Sequence, residues 1–183
     1  MAAPRSTRYT GFMIIICSLA DLPDAIEDER PHGVVTLLGP DMMIPEIKGF
    51  EGRHLRLEMN DIADHTPGQI LPHDSHIEDL LDFVGRWPHD DAPLVVHCWA
   101  GISRSTAAAL ITQAHLHPGA DEAELATALR NAAPHARPNR RLIALADAAL
   151  DRRGRLVEAA ELVYRDEPVF EGTRTYYPLH GKT

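Results

Sequence analysis

Residues 93–106 read Pro93-Leu94-Val95-Val96-His97-Cys98-Trp99-Ala100-Gly101-Ile102-Ser103-Arg104-Ser105-Thr106, and alanine-rich sequence follows. Leu94 to His97 is a short β-branched run behind a proline, which reads as a buried strand. Beyond Ser103 the composition turns to strong helix formers. A strand, a five-residue loop and a helix therefore succeed one another. Such a unit sets Cys98 at the C-terminal end of the strand and turns the loop amides and the helix N-terminus onto one spot. That spot suits an anion. Trp99 to Ser103 is long enough for the backbone to curl around a tetrahedral oxyanion, and Gly101 permits the tight curl. Arg104, at the helix start, returns a two-pronged guanidinium fork. The same dipoles and the guanidinium favour Cys98 as a thiolate, the nucleophilic form. Ser105 can donate its hydroxyl to the sulfur, which helps most when the thiolate is a leaving group. A phosphoryl group is the natural electrophile for this set.

The rest of the chain supplies the frame. Its 183 residues make one ordinary domain, and 44% apolar with 25% charged residues is the composition of a folded globular protein. The formal net charge of −9 repels a polyanion over most of the surface, so nucleic acid is not an expected partner. Two cysteines, Cys17 and Cys98, are too few for a disulfide scaffold and suit a reducing compartment, and a cytoplasmic location is expected. The longest apolar run, from Phe12 to Cys17 and on through Ala20, is too short to span a bilayer, so no membrane association is expected. Arg5 and Arg8 precede it, but Asp21 and Asp24 follow at once without an A-x-A cleavage site, which favours a buried strand over a signal peptide. Oligomeric state is not legible.

Met13 to Cys17 and Gly33 to Leu38 read as buried strands, the second ending at Gly39-Pro40, with a loop or short helix between them over Pro23 to Arg30. His54 to Met59 alternates and reads as a strand with one wet face, closed by Asn60 and Asp61. A polar loop to Pro72 follows. Asp74 or Ser75 can cap a helix carrying Ile77, Leu80, Leu81 and Val84 at helical spacing. After Ser103, helices are predicted over Thr106 to His115, Asp121 to Ala132 and Asn139 to Leu150, then an amphipathic segment with Leu156, Val157, Ala160, Leu162 and Val163. The domain is expected over residues 10–165, with an irregular tail over 166–183. Alternating strands and helices predict a single α/β domain.

His97, Cys98, the five-residue loop, Arg104 and Ser105 resemble the signature of the cysteine-dependent protein tyrosine phosphatases, and the form Ala100-Gly101-Ile102-Ser103-Arg104-Ser105 is most similar to their dual-specificity branch, including small bacterial-type members. The resemblance implies a central mixed, mostly parallel sheet of four to five strands flanked by helices. It also implies hydrolysis of a phosphate monoester through a cysteinyl-phosphate intermediate, most readily on phosphotyrosine or phosphoserine and phosphothreonine of proteins, with no cofactor or metal. In its terms Cys98 attacks, the amides of Trp99, Ala100, Gly101, Ile102, Ser103 and Arg104 with the Arg104 side chain hold the phosphate, and Ser105 assists thiolate departure. Family members draw a general acid from an aspartate on an upstream loop, because an expelled alkoxide or phenoxide needs a proton. Asp61, directly after its strand, is the first candidate, although it lies slightly farther upstream of Cys98 than the resemblance implies, and Asp64 is the alternative. Pro138-Asn139-Arg140-Arg141 is similar to the start of a late helix that buttresses the catalytic loop, while Asn139 is equally well read as a plain helix cap.

The chain lacks the basic recognition loop of the deep-pocket tyrosine-specific branch, which implies a shallower pocket. It also lacks the loop lysines of the lipid-phosphatase relatives and has Trp99, Ala100 and Ile102 instead, which disfavours phosphoinositides. Trp99 and His65 are candidates for the pocket mouth. Asp64, His65, His73, Asp74 and His76 cluster in sequence but lack a metal-ligand spacing. Cys17 reads as a core cysteine, with a reversible disulfide to Cys98 as the alternative. Two other functions fit the same residues: a non-catalytic phosphate-binding module, and the same chemistry on a small-molecule, nucleotide or lipid phosphate.

Overall fold

In a computed structural model, described over residues 13–42, 47, 50–87, 92–165 and 168–179, the chain forms a five-stranded mixed sheet with helices on both faces. Strands β1 (Met13–Ser18), β2 (Gly33–Leu38), β3 (Arg53–Glu58), β4 (Leu94–Cys98) and β5 (Thr175–Pro178) lie in the order β3-β2-β4-β1-β5. The first four run parallel, and β5 pairs antiparallel with β1. Strands covered on both faces must be apolar throughout, which is why β2 and β4 are buried at every position and β1 at all but Met13. At the edge, β3 keeps the alternation of its sequence, with Leu57 buried between exposed Arg56 and Glu58.

One face is covered by α1 (Leu22–Glu29), so the segment after Pro23 is a helix rather than a loop. Its Leu22 and Ala25 pack with Ile15, Cys17, Val34 and Val95. The other face carries the main core under α2 (Asp74–Gly85), α3 (Arg104–Leu116), α4 (Glu122–Ala132), α5 (Arg140–Ala149) and α6 (Arg155–Glu161). Helix α3 is buried at every position from Arg104 to Ala114 and packs against α2, α4 and α5. Its run Ala107-Ala108-Ala109 keeps it slim enough to be enclosed on all sides. The cap of α2 is His73, whose N–H donates to His76 Nδ1 at 3.0 Å, and not Asp74 or Ser75. Asp121 and Asn139 cap α4 and α5 as their sequence positions predict.

The expectation of an irregular tail is corrected over residues 175–178. This stretch is too short and mixed to read as a strand, yet it satisfies the open edge of β1. Tertiary contacts fix it there. Tyr177 is fully buried with its hydroxyl donating to the Leu125 carbonyl at 2.8 Å, and Gln113 Nε2 donates to the Pro178 carbonyl at 2.6 Å. Among the described residues no helix is long and apolar enough to cross a membrane.

Candidate active site

Strand β4 ends at Cys98, which is 2% exposed, and α3 begins at Arg104. Between them the loop carbonyls are tied outward one after another. Trp99 O accepts from Leu19 N at 3.1 Å, Ala100 O from Gly172 N at 2.7 Å, Ile102 O from Arg137 N at 2.9 Å and Ser103 O from Asn139 N at 3.2 Å. The His135 ring and the Gly101 carbonyl both face Gly172. A trans peptide unit directs its C=O and N–H to opposite sides, so outward carbonyls turn the following amides inward. The loop is thereby a nest of N–H groups beside the α3 N-terminus, an anion cradle. Gly101 has φ +72°, and a Cβ there would stand 2.9 Å from Cys17 C and Ser18 N. Only glycine fits that approach.

Ser105, fully buried on the first turn of α3, stands with Oγ 3.2 Å from Cys98 Sγ. Arg104 is 5% exposed and anchored through Nη1 to the Met59 carbonyl at 2.8 Å. Its Nε is buried without a hydrogen-bond partner, 4.0 Å from Asp61 Oδ2. A buried guanidinium with an unsatisfied N–H beside an amide nest calls for an anionic ligand.

The loop after β3 brings Asp61 to this cradle. Its Oδ1 accepts from Ser103 Oγ at 2.7 Å and from Asn139 Nδ2 at 2.8 Å. Asp64 is exposed, and its carbonyl accepts from Thr66 Oγ1 at 3.4 Å. Asn139 serves both readings at once: Oδ1 caps α5 through Arg141 N and Leu142 N, while Nδ2 holds Asp61. It supports the cradle itself through its backbone N–H. Trp99 is 57% exposed, and His65 is exposed on the Asp61 loop.

His97 is fully buried behind the cysteine with Nε2 2.6 Å from Thr36 Oγ1, and His54 Nε2 approaches the same hydroxyl at 2.8 Å. Burial brings both imidazoles down to about 4, helped at His54 by Arg56. Both are neutral at pH 7. Cys17 lies in the cluster on the α1 face and Cys98 in the core on the other, so the two thiols are separated by the sheet and cannot be bridged. Burial pushes the Cys17 thiol up, which leaves it inert. The histidines and carboxylates of residues 64–76 are not drawn together: among the described residues no group of three or more His, Cys, Asp or Glu could hold a metal. Sequence reading missed Thr36, His54, His135, Leu19 and Gly172. These contacts join distant segments through backbone atoms or one shared hydroxyl, and no local pattern announces them.

Solved structures with the same architecture include DUSP15, at TM-score 0.57 and 18% identity over 86% of this chain and 100% of that one. Human DUSP28 gives 0.58 and 17% over 76% and 92%. PTPMT1 in complex with PI(5)P gives 0.57 and 16% over 82% and 91%. The chain has the dual-specificity phosphatase fold. No protein-family model matches the chain, and no curated protein matches its sequence.

Proposed function

We propose that the protein is a phosphate monoester hydrolase that works through a cysteinyl-phosphate intermediate, on phosphorylated side chains of proteins. The observation that carries this reading is the buried, unsatisfied Arg104 Nε beside the amide nest that begins at Cys98. The fold shared with dual-specificity phosphatases supports it.

In the first step the Cys98 thiolate attacks phosphorus and the ester P–O bond breaks. The electron pair leaves on the ester oxygen, which takes a proton from Asp61. The amides of residues 99–104 and the Arg104 guanidinium hold the three equatorial oxygens and absorb charge that builds in the transition state. In the second step Asp61, now a carboxylate, takes a proton from water as the water oxygen attacks phosphorus. The P–S bond breaks, the pair returns to sulfur, and Ser105 donates its hydroxyl to the departing thiolate. Inorganic phosphate leaves the cradle.

A protein substrate is favoured over a phosphoinositide because Trp99, Ala100 and Ile102 surround the cysteine where a lipid headgroup with several phosphates would need basic side chains. PTPMT1 with PI(5)P shares the fold, so the test includes lipid. Turnover of para-nitrophenyl phosphate, a phosphotyrosyl peptide and phosphoinositide vesicles is measured for the parent and for Cys98→Ser. The expected result is turnover of the aryl phosphate and the peptide by the parent, none by Cys98→Ser, and a phosphocysteine trapped by acid quench. Full activity in Cys98→Ser would overturn the mechanism. Peptide binding without turnover by the parent would make the protein a phosphate-binding module.

A further inference from the structure

Beside the cradle lies a recess of about 340 Å³ lined by Leu19, Ala20, Trp99, Ala100, Phe170 and Glu171. Trp99 is 57% and Phe170 89% exposed, two of the five large apolar side chains left in water among the described residues. Exposed apolar surface gathered at one place marks a binding site, where scattered single residues would not. Trp99 and Ala100 also contribute to the cradle, so whatever fills the recess is joined closely to the phosphate.

The walls are held in place. Gly172 N bonds Ala100 O, Ser18 Oγ donates to Glu171 Oε1 at 3.1 Å, Leu19 N bonds Trp99 O, and the Arg174 guanidinium forks onto Asp21 with 2.7 and 2.8 Å contacts. A wall whose backbone is already fixed lowers the ordering cost of binding. Its volume is at the lower end of the about 300–1,000 Å³ of ligand sites, the size for one large side chain rather than a pair of acyl chains. Among the described residues the charged one in the wall is Glu171 and no Lys or Arg lines it, and the chain carries −9. An anionic membrane or an acidic peptide flank is repelled.

We infer that this recess is a substrate subsite for a bulky apolar side chain flanking the phosphorylated residue of a peptide. The inference rests on the phosphatase reading above and sets which phosphopeptides are turned over best. It is tested with para-nitrophenyl phosphate and with phosphotyrosyl peptides that differ in one flanking residue, Phe, Leu, Ala or Asp, placed on each side in turn. The parent is compared with Phe170→Ala and Ala20→Glu, both at exposed positions. In the parent, kcat/KM is expected to be about three- to tenfold higher for Phe or Leu than for Ala, the scale of one aromatic packing contact, and lowest for Asp. Both variants are expected to lose that preference while turning over para-nitrophenyl phosphate like the parent.

Equal kcat/KM for all flanks in an active parent would overturn the subsite, as would an equal loss in Phe170→Ala on every substrate. A loss confined to phosphoinositide vesicles would assign the recess to a lipid surface and overturn it too. If the parent turns over no aryl phosphate, the hydrolase reading fails instead. The subsite is then read from peptide Kd values on Cys98→Ser, where Phe and Leu flanks must still bind more tightly than Ala for it to stand.

Discussion

The Asn139 side chain bridges two elements, accepting from the first turn of α5 through Oδ1 and donating through Nδ2 to Asp61 Oδ1 at 2.8 Å. The two jobs can be separated by mutation. Asn139→Asp keeps the capping oxygen and sets a like charge against Asp61, so its Tm is expected to stay near the parent's while kcat falls about tenfold or more. Asn139→Ala is expected to lose both, with about 1 kcal/mol of stability gone with the cap. Thermal melts alongside steady-state kinetics check this, and an active, unstable Asn139→Asp would contradict it.

Asp61→Asn is expected to lower kcat about 10²- to 10⁴-fold on an alkyl phosphate and much less on para-nitrophenyl phosphate, whose leaving group needs little help. Asp64→Asn, at an exposed site, is expected to behave like the parent. The reverse pattern would move the acid to Asp64.

In the proposed mechanism Ser105, with its hydroxyl 3.2 Å from Cys98 Sγ, assists the step in which sulfur leaves. Ser105→Ala is therefore expected to show a burst of nitrophenol close to one per active site, followed by turnover about ten- to a hundredfold slower. Stopped-flow traces without a burst, together with an unchanged kcat, would remove Ser105 from the mechanism.

Gly101→Ala puts a Cβ at 2.9 Å from the backbone of Cys17 and Ser18 in a conformation that costs a side chain about 1–2 kcal/mol before any clash. A lowered Tm and loss of protection by phosphate or vanadate are expected from calorimetry. Retained protection by either ligand would show that the cradle does not depend on this turn.

The buried imidazoles set a pH dependence. In the unfolded chain His97 and His54 take protons near 6.5, whereas in the folded one they resist until about 4. Between these values the unfolded state binds more protons, so stability is full above about 6.5 and declines as pH falls toward 4. Burial lowers His76, His115 and His135 as well, with the same sign. Urea midpoints from pH 7.5 to 4.5 should fall, and the slope should be shallower in His54→Gln. An identical slope in that variant would show that the burial of His54 contributes nothing to the pH dependence of stability.

The parallel strands and long helices were legible because burial on both faces demands unbroken apolar runs, as in Ile14-Ile15-Ile16, and because caps such as Asp121 and Asn139 are local. Cys98, Arg104 and Ser105 were legible because they sit within one loop and the helix turn that follows it. Asp61 entered through the family resemblance with Asp64 as its alternative, and no local pattern announces that Ser103 and Asn139 both donate to Asp61. The short strand at Thr175 was not legible, since its stability comes from the edge of β1 and from the distant Gln113 and Leu125.

Strand β1, the first of the five strands in the chain, is paired on one edge by the last of them. Ile14 must wait for Leu94 on one side and Tyr177 on the other, and Ala100 gains its outward bond only when Gly172 has been synthesised. An emerging chain thus carries an isoleucine-rich strand with an open edge from the completion of β4 until residues 175–178 arrive, a period in which that edge is exposed to aggregation. The cradle, in turn, is complete only once Gly172 has reached the Ala100 carbonyl.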